Sequence, residues 1–542
     1  MSRRRTVAAT LALLLTLSLP TPSLAAFPIT ILVRDGDMVP GVGLVTSIDN
    51  LAINNAGAWI VQADTNGDAS SDSVLIKSGV LYLRENQLLT DPPGAAISSF
   101  DSVNLSNAEH SGWNFFLRNL PTTADSGIYL DSGLVIQESD VSTAPQFSPN
   151  TRYIGFFDAK INDAGRIAMV ASIDDIAIPT TVDRALVIVD LDGSGQLLSE
   201  NAFAKEGQIL PGQTETVVDF GTDPHETAFN NLGQMLYFAD LTGVLTNDGV
   251  IYLDLTKIAQ EGSPSPVTGR NYEVLASRGL DLNNHGEVAF KANLDGDINT
   301  DEIIVADGEQ LVHEFEVLPS ITPFRITSMG TTTGPVVIDD DRNVLWFGDW
   351  DNPDTTKDTG LFLNNVLIAQ EGDPVGGGLN IQSFSSGLDA FAMSRNGRYI
   401  VFETVLSNTN DAALMIEVQG PPPVPDGAHV PGIPMRAVKN VNGTDIDVTW
   451  DVTGCPGTDY NLFYGDLASV ATLTYTGAAC GLGAAGQATF TPPAGDVFFL
   501  MASAAATGVE GGHGYDSSGR ARHASAGGQC GVVGQIRSAR CP

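Results

Sequence analysis

The stretch Asn283-Asn284-His285-Gly286-Glu287-Val288-Ala289-Phe290 combines a tight turn with the strand that follows it. The asparagine side chain can bond to the local backbone, and the glycine takes a positive φ at low cost. Versions of this pattern recur along the chain, each with an apolar residue, then Asn, Asp or Ser, and usually a later Gly. The seven copies begin at residues 53, 105, 161, 229, 282, 338 and 393. Their nearly even spacing predicts a fold built from repeated units.

Each of the first six copies divides into four short apolar segments, which we interpret as four strands. The first segment leads into the turn, the second follows it, and a polar loop then ends in an aspartate. The third strand is predicted to start after that aspartate, and the fourth ends in an acidic corner such as Glu371-Gly372. Four strands every fifty-odd residues are typical of a β-propeller blade. The seven aspartates are Asp72, Asp125, Asp183, Asp248, Asp301, Asp358 and Asp411.

The two ends of the repeat region complement each other. The seventh copy stops after its third strand, and residues 29–37 match residues 366–373 in their order of residue types. A shared blade would remove the open sheet edges that promote aggregation. We therefore predict an all-β fold whose residues 27–418 form a seven-bladed β-propeller, with an N-terminal strand closing the last blade. The alternative is an open β-solenoid, which would not need a donated strand.

The repeats resemble the NxxGxxAF tandem repeats of secreted bacterial choice-of-anchor proteins. Residues 283–290 match that pattern almost fully, and the resemblance covers about residues 27–418. It implies export, a repeat-built extracellular body and a C-terminal sorting signal, but no activity and no catalytic residues. The chain departs from the pattern at its end, where no apolar helix followed by basic residues occurs, so the sequence does not support surface anchoring.

The N-terminal residues predict secretion. Three arginines, the apolar run 6–19 and the small-residue site ending at Ala25 or Ala26 form a signal peptide over residues 1–26. The whole chain has 27 basic and 64 acidic residues and a formal net charge of −37. Such a negative protein repels nucleic acid, and no segment is apolar enough to span a membrane. We expect an extracellular, cell-surface or periplasmic location, and an unknown extracellular protein or glycan as partner.

A second region follows a proline-rich linker at residues 419–434. Residues 435–530 contain short alternating segments, which predict one β-sandwich. This sandwich resembles a fibronectin type III module, with Trp450 as its buried aromatic residue. Residues 531–542 are predicted to be a C-terminal tail.

All four cysteines lie in this second region. Their even number in an exported protein predicts two disulfides rather than a metal site, because no Cys-x-x-Cys spacing occurs. Three connectivities are possible. Proximity along the chain favours Cys455 with Cys480 and Cys530 with Cys541.

Three acidic loops before the third strands suggest calcium, the one cofactor for which the sequence offers ligands. Calcium takes six to eight oxygen ligands, and alternate side chains of a short loop can surround one ion. None of the loops has the complete twelve-residue pattern, so turn capping is the competing interpretation. The candidate ligands are Asp64, Asn66, Asp68 and Asp72; Asp295, Asp297, Asn299 and Asp301; and Asp349, Asp351, Asp354 and Asp358.

No motif assigns a catalytic residue. The seven histidines lie outside nucleophile-elbow and zinc-protease patterns, and Trp350, in a polar loop, is the candidate for an exposed ligand contact.

We predict a non-catalytic extracellular binding or scaffold protein that displays propeller loops. The alternatives are an enzyme acting on a polysaccharide or other polymer through carboxylates on the propeller face, and a structural surface protein without a ligand. The long step between the third and fourth copies, with extra residues at 190–195 and 199–213, is the place where a cluster of unlike polar residues would favour the enzyme.

Overall fold

The structure is a computed structural model, which describes most of the chain after residue 26. The signal peptide predicted at residues 1–26 lies outside the described residues. The described ranges are 27–178, 183–223, 225–330, 334–385, 387–505, 508–522, 528–532, 534–538 and 540–541.

Between residues 27 and 418, the described strands form seven antiparallel sheets, which we number by their order along the chain. Sheets 1 to 3 contain β2 (Met38–Val39), β3 (Gly43–Ile53), β4 (Trp59–Thr65), β5 (Ser73–Lys77) and β6 (Val80–Arg84); β7 (Ala96–Asp101), β8 (Gly112–Arg118), β9 (Ser126–Leu130) and β10 (Gly133–Gln137); and β11 (Tyr153–Ile161), β12 (Ile167–Ile173), β13 (Arg184–Leu191) and β14 (Leu197–Lys205). Sheets 4 and 5 contain β15 (Val217–Asp219), β16 (Thr227–Phe229), β17 (Met235–Leu241), β18 (Gly249–Leu253) and β19 (Thr256–Gln260); and β20 (Tyr272–Leu282), β21 (Val288–Leu294), β22 (Glu302–Ala306) and β23 (Glu309–His313). Sheet 6 contains β24 (Ile326–Ser328), β25 (Val336–Ile338), β26 (Val344–Trp350), β27 (Thr359–Leu363) and β28 (Val366–Gln370), and a short 3-10 turn at Pro319–Ile321 precedes it.

Sheet 7 joins the two ends of the repeat region. It consists of β29 (Pro374–Gly376), β30 (Leu379–Phe384), β31 (Phe391–Met393), β32 (Tyr399–Leu406), β33 (Asp411–Glu417) and the N-terminal strand β1 (Ile29–Arg34). β1 runs antiparallel to β33, with Ile31 opposite Leu414. The donated strand predicted from the sequence is therefore present.

Third strands begin where the repeated aspartates predict. In sheets 1 to 6 the third strand starts at the residue after the aspartate, and in sheet 7 it starts at Asp411 itself. The carbonyl of the aspartate accepts a hydrogen bond across the hairpin, as Asp301 does from Leu294 at 2.9 Å. A glutamate at the end of the fourth strand adds a second bond, since Glu314 Oε2 accepts from the N–H of Asp301 at 3.2 Å. These main-chain bonds are consistent with the hairpin-capping interpretation, but capping by the aspartate side chains stays a prediction.

Hydrogen bonds between the turns link neighbouring sheets in a closed ring. In four turns, those of Asn54, Asn162, Asn230 and Asn283, the first polar residue also donates to a carbonyl of the next turn, as Asn230 Nδ2 does to Asn283 O at 3.0 Å. The second polar residue accepts the N–H of the equivalent turn in the preceding sheet. The six side chains that accept in this way are Asn55, Asn107, Asp163, Asn231, Asn284 and Asp340. The bonds of the ring are 2.7–2.9 Å long. Asn396 N donates to Asn55 Oδ1 at 2.8 Å, so sheet 7 returns to sheet 1.

The hydrophobic core lies between neighbouring sheets. Trp113 of sheet 2 packs in one cluster with Ile60 of sheet 1, and Val61 of sheet 1 packs in another with Val401 of sheet 7. Each sheet therefore buries both faces, which explains the nearly continuous apolar second strands.

The C-terminal region contains two sheets that share one core. One sheet has β34 (Arg436–Lys439), β35 (Ile446–Thr449) and β38 (Gln487–Phe490), and the other has β36 (Asp459–Asp466), β37 (Gly477–Ala479), β39 (Val497–Ala504), β40 (Val509–Glu510) and β41 (Gly534–Gln535), with 3-10 turns at Leu467–Thr472 and Gly528–Cys530. Trp450 is buried in this core against Tyr460, as predicted. The likeness to a fibronectin type III module stays a prediction.

The last described residues dock on sheet 6 instead of forming a tail. We call residues 534–538 and 540–541 the strap. Its Arg537 exchanges backbone hydrogen bonds of 2.7 and 2.8 Å with the side chain of Asn343, and Ile536 enters the core of sheets 6 and 7. The linker also packs closely, because Pro421, Pro422 and Pro423 are buried. The C-terminal region is thus held firmly against the ring.

The predicted pairing of the cysteines is wrong. The disulfides join Cys455 to Cys541 and Cys480 to Cys530. Proximity along the chain misled the prediction, because the strap brings Cys541 back past the ring to Cys455. The 3-10 turn that contains Cys530 lies beside β37, which ends one residue before Cys480.

A candidate binding site in the central cavity

The first strands of all seven sheets surround one cavity of about 170 Å³, which we call the central cavity. A cavity of this size can hold a ligand about as large as a monosaccharide ring or benzene. Residues from every sheet line it: Leu51 and Asn54, Asn104 and Asn107, Lys160 and Asp163, His225 and Asn231, Asp281 and Asn284, Val337, and Asp389 and Arg395.

Irregular backbone in the first strands provides the polar side chains of the central cavity. β11 has a register shift between Phe156 and Ala159, and the first strands of sheets 4, 6 and 7 are each split in two. A regular strand would alternate side chains between faces and bond every backbone group, so the breaks allow charged residues to turn inward. His225 sits in one such break with φ +62°, a conformation rare outside glycine.

Lys160 and Asp158 form the first charged pair. Lys160 Nζ lies 2.9 Å from Asp158 Oδ1. The other oxygen of this buried carboxylate accepts a 2.6 Å hydrogen bond from Thr227 Oγ1 of sheet 4, and Ser102 Oγ of sheet 2 donates to Oδ1 at 3.3 Å. Asp158 is therefore fixed, and its position fixes the ammonium group at the cavity wall.

Arg395 and Asp281 form the second pair, across the cavity from sheet 7 to sheet 5. The guanidinium donates to both carboxylate oxygens at 2.6 and 2.9 Å and to Ile338 O at 2.9 Å. Arg395 stands where the other six turns have Asn or Asp as their second polar residue. Because its side chain points into the cavity, its carbonyl takes over and accepts the N–H of Asp340 at 2.7 Å.

His225 and Asp389 form the third pair. His225 Nε2 lies 3.2 Å from Asp389 Oδ1, and both side chains are less than one-fifth exposed. A carboxylate beside an imidazole orients the ring. The three pairs come from sheets 3, 4, 5 and 7, so the central cavity breaks the repeat symmetry with unlike polar groups.

The 295–301 loop, one of the three predicted calcium loops, already contains a cation. The Arg270 guanidinium donates to the carbonyls of Asp295 at 2.6 Å, Thr300 at 2.5 Å and Leu294 at 3.1 Å. Asp295 accepts two hydrogen bonds from Asn271, and Asp297 accepts two from Asn299. Asp301 uses its carbonyl in the hairpin. Several oxygens of this loop, including both carboxylate oxygens of Asp295, thus have partners within the protein.

The other two loops show local turn bonds. Asp68 accepts from the N–H and hydroxyl of Ser70, and these bonds lower its pKa, while Asn66 accepts from Leu44 N. Asp64 lies within β4, and Asp72 bonds through its carbonyl. In the loop of sheet 6, the carboxylates of Asp349, Asp351 and Asp354 accept hydrogen bonds from Thr327, Arg325 and Thr356, respectively. The backbone carbonyl of Asp358 accepts from the N–H of Trp350.

Across the described residues, no three His, Cys, Asp or Glu side chains form a group that could hold a metal ion. Calcium binding by these loops stays a prediction, and turn capping accounts for the contacts that are present.

The expectation that Trp350 is an exposed ligand contact is wrong. Trp350 is 2% exposed and packs edge-on against Phe362, with ring centroids 5.7 Å apart. It is the last residue of β26, four residues after buried Trp346. Strand alternation therefore places the two tryptophans on the same face, and the polar loop begins only after Trp350.

The sequence did not point to the central cavity. The one feature of the sequence that marks the cavity is Arg395, a charged residue at a turn position that is otherwise Asn or Asp. The insertion after the third copy, where we expected any unlike polar cluster, instead lengthens the β13–β14 hairpin at the outer edge of sheet 3.

These features define an all-β, propeller-like protein with two disulfides. A family described as "Family of unknown function (DUF7453)" matches residues 25–254, which is less than half of the chain. No curated protein matches the chain. None of the helices in the described residues is long and apolar enough to cross a membrane.

Solved structures with a related fold include three enzymes. Oligogalacturonate lyase in complex with manganese is 11% identical over 73% of this chain and 98% of its own, with a TM-score of 0.34. A polysaccharide lyase is 7% identical over 71% and 91%, with a TM-score of 0.32. Trypanosoma rangeli sialidase is 10% identical over 89% and 86%, with a TM-score of 0.28. Likeness at this level carries no argument about activity.

Proposed function

We propose that this chain is a secreted binding protein whose ring of seven sheets is a seven-bladed β-propeller, and that its central cavity binds a small hydroxylated ligand such as one unit of a glycan. The observation that carries this proposal is the convergence of three charged pairs from four sheets on one cavity. Such pairs cost desolvation, and a purely structural ring could fill its centre with apolar side chains more cheaply.

The alternation of donors and acceptors supports a hydroxylated ligand. Lys160 offers ammonium N–H groups beyond the one that contacts Asp158, and Asn107 and Asn231 lie at the exposed rim. A sugar hydroxyl both donates and accepts, so it can use both kinds of group. The C-terminal region is held by the strap and the Cys455–Cys541 disulfide, which suits a scaffold role for it.

Thermal melting against a library of mono- and oligosaccharides tests the proposal. A ligand that binds only the folded protein raises the melting temperature. Lys160→Arg keeps the charge but adds bulk to the cavity, so it should abolish the shift while folding normally. Lys257→Met, at an exposed lysine on β19, is the matched control and should keep the shift. If no sugar shifts the melting temperature, or if Lys160→Arg shifts as well as wild type, the cavity is not the binding site.

A second candidate function is an extracellular enzyme that acts on a polysaccharide. The observation that favours it is His225, which combines a strained backbone with a carboxylate 3.2 Å from Nε2. An imidazole held in this way can act as a general base. Release of reducing ends from a polysaccharide panel by wild type, but not by His225→Asn, would support it. Equal release by both proteins would exclude His225 as the base.

A further inference from the structure

Carboxylates outnumber cations around the central cavity. The ionisable residues that line it are two cations, Lys160 and Arg395, three carboxylates, Asp163, Asp281 and Asp389, and His225. Asp158 adds a fourth carboxylate, 2.9 Å behind the lysine. The cavity is therefore an acidic site inside an acidic protein, although it contains two cations.

The titration of the two cations indicates the sign of the local field. Burial alone would lower the pKa of Lys160, but Asp158, Asp389 and Asp281 outweigh it, and the pKa is raised. The same holds for Arg395, where burial is outweighed mainly by Asp281. Burial and the nearby charge of Asp389 also raise the pKa of Asp49. Added negative charge is thus costly here, and positive charge is stabilised.

One carboxylate of the cavity has an oxygen to spare. Both oxygens of Asp281 bond to Arg395, and both oxygens of Asp158 have partners. The shortest contact between Asp389 and His225 is made by Oδ1, and the described part of the chain donates no hydrogen bond to Oδ2 of Asp389. This oxygen belongs to a residue of the cavity lining.

We propose that the ligand of the central cavity carries an ammonium group that pairs with Asp389, as in an amino sugar, and that ligands with a carboxylate are rejected. This inference rests on the proposed binding function and narrows its ligand class. The hydroxyls of the ligand would bond to Lys160 and to the rim asparagines. A uronate would place its carboxylate in the negative field instead, and the charge of Arg395 is already paired with Asp281.

Three sugars of similar size and different charge test the proposal: glucosamine, glucose and glucuronate. Titration calorimetry of the mature protein at pH 6.5 should show glucosamine binding at least tenfold more tightly than glucose, and no heat from glucuronate. Asp389→Asn is nearly isosteric and should reduce glucosamine to the affinity of glucose. Glu273→Gln, at an exposed glutamate of β20 outside the cavity lining, is the matched control that removes a carboxylate without touching Asp389, and it should keep the preference.

Each outcome separates the two levels of inference. If glucose or glucuronate binds as tightly as glucosamine, or if Asp389→Asn keeps the preference, the ammonium proposal is wrong while the binding function stands. If none of the three binds but the sugar library yields a ligand without an ammonium group, the ammonium proposal is again overturned. If the library yields nothing either, both proposals fall.

Discussion

The pair formed by Arg395 and Asp281 allows a quantitative test of how the central cavity contributes to stability. Arg395→Met removes the guanidinium and leaves the carboxylate of Asp281 with the N–H of Ile338 as its remaining donor at 2.9 Å. The Asp281 side chain is 7% exposed, whereas Arg395 is 28% exposed toward the cavity. Removing one partner of a buried ion pair costs about 3–5 kcal/mol of folding stability. Because Arg395 is partly exposed, we expect a cost at the lower end of this range, about 3 kcal/mol.

The size of the ring converts this cost into a melting shift. An unfolding entropy of about 2.1 cal/mol/K per residue over roughly 390 residues is about 0.8 kcal/mol/K, so 3 kcal/mol lowers the melting temperature by about 4 °C. Asp281→Asn should cost about 2 kcal/mol. Because the double variant buries no unpaired charge, it should cost about 2 kcal/mol less than the sum of the two single variants.

Thermal melting followed by circular dichroism, with calorimetry for the enthalpy, measures these shifts. Arg398→Met is the matched control, since Arg398 pairs with Glu417 on the surface and both side chains are well exposed. It should change the melting temperature by less than about 1 °C. A similar small change for Arg395→Met, or strict additivity in the double variant, would refute the reasoning that this pair acts as a buried unit.

Four further results are expected. Asn230→Asp loses its amide donors and buries a carboxylate, so it should cost about 2–3 kcal/mol, and unchanged melting would exclude the bond between turns as a source of stability. Mature protein without residues 27–37 should expose the edge of β33 and aggregate during size-exclusion chromatography; a stable monomer would contradict the role of β1. Burial raises the pKa of Glu403 to about 7, above its ordinary value of 4.5, so the folded state holds this proton more tightly. Stability should therefore fall by at most about 3 kcal/mol as the pH rises from about 4.5 to about 7, and Glu403→Gln should flatten that slope in melts across this range. Non-reducing peptide mapping should recover a peptide joining Cys455 to Cys541, and Cys541→Ser should cost up to about 4.5 kcal/mol by loop entropy; a peptide with a local pair would overturn the connectivity.

The features predicted correctly from the sequence are those that recur in each of the seven repeats. Each Asn-x-x-Gly turn and each aspartate before a third strand gives the same signal, so errors at one copy are corrected by the others. The match between residues 29–37 and 366–373 worked for the same reason, because β1 fills the position that β28 fills in its own sheet. The second polar residue of the turns was visible in the pattern, but the bond of its side chain to the preceding sheet depends on three-dimensional spacing.

The misses concern contacts that occur once. Asp281 and Arg395 are 114 residues apart, and no local pattern marks them as partners. The strap is similar, since only the folded ring brings Arg537 to Asn343. Trp350 was misplaced by a shift of one strand boundary, because the acidic residues around it resemble a loop. Contacts of this kind follow from the assembled tertiary structure and not from the sequence around each residue.

The pairing of β1 with β33 imposes a delay on the growing chain. β1 begins at Ile29, and β33 begins 382 residues later, at Asp411. At a synthesis rate of about 5–20 residues per second, β1 waits roughly 20–80 s for its partner. During synthesis this strand emerges before the strand with which it pairs, and it stays unpaired while six sheets form behind it. A chaperone that holds β1 during this interval should therefore raise the yield of folded protein.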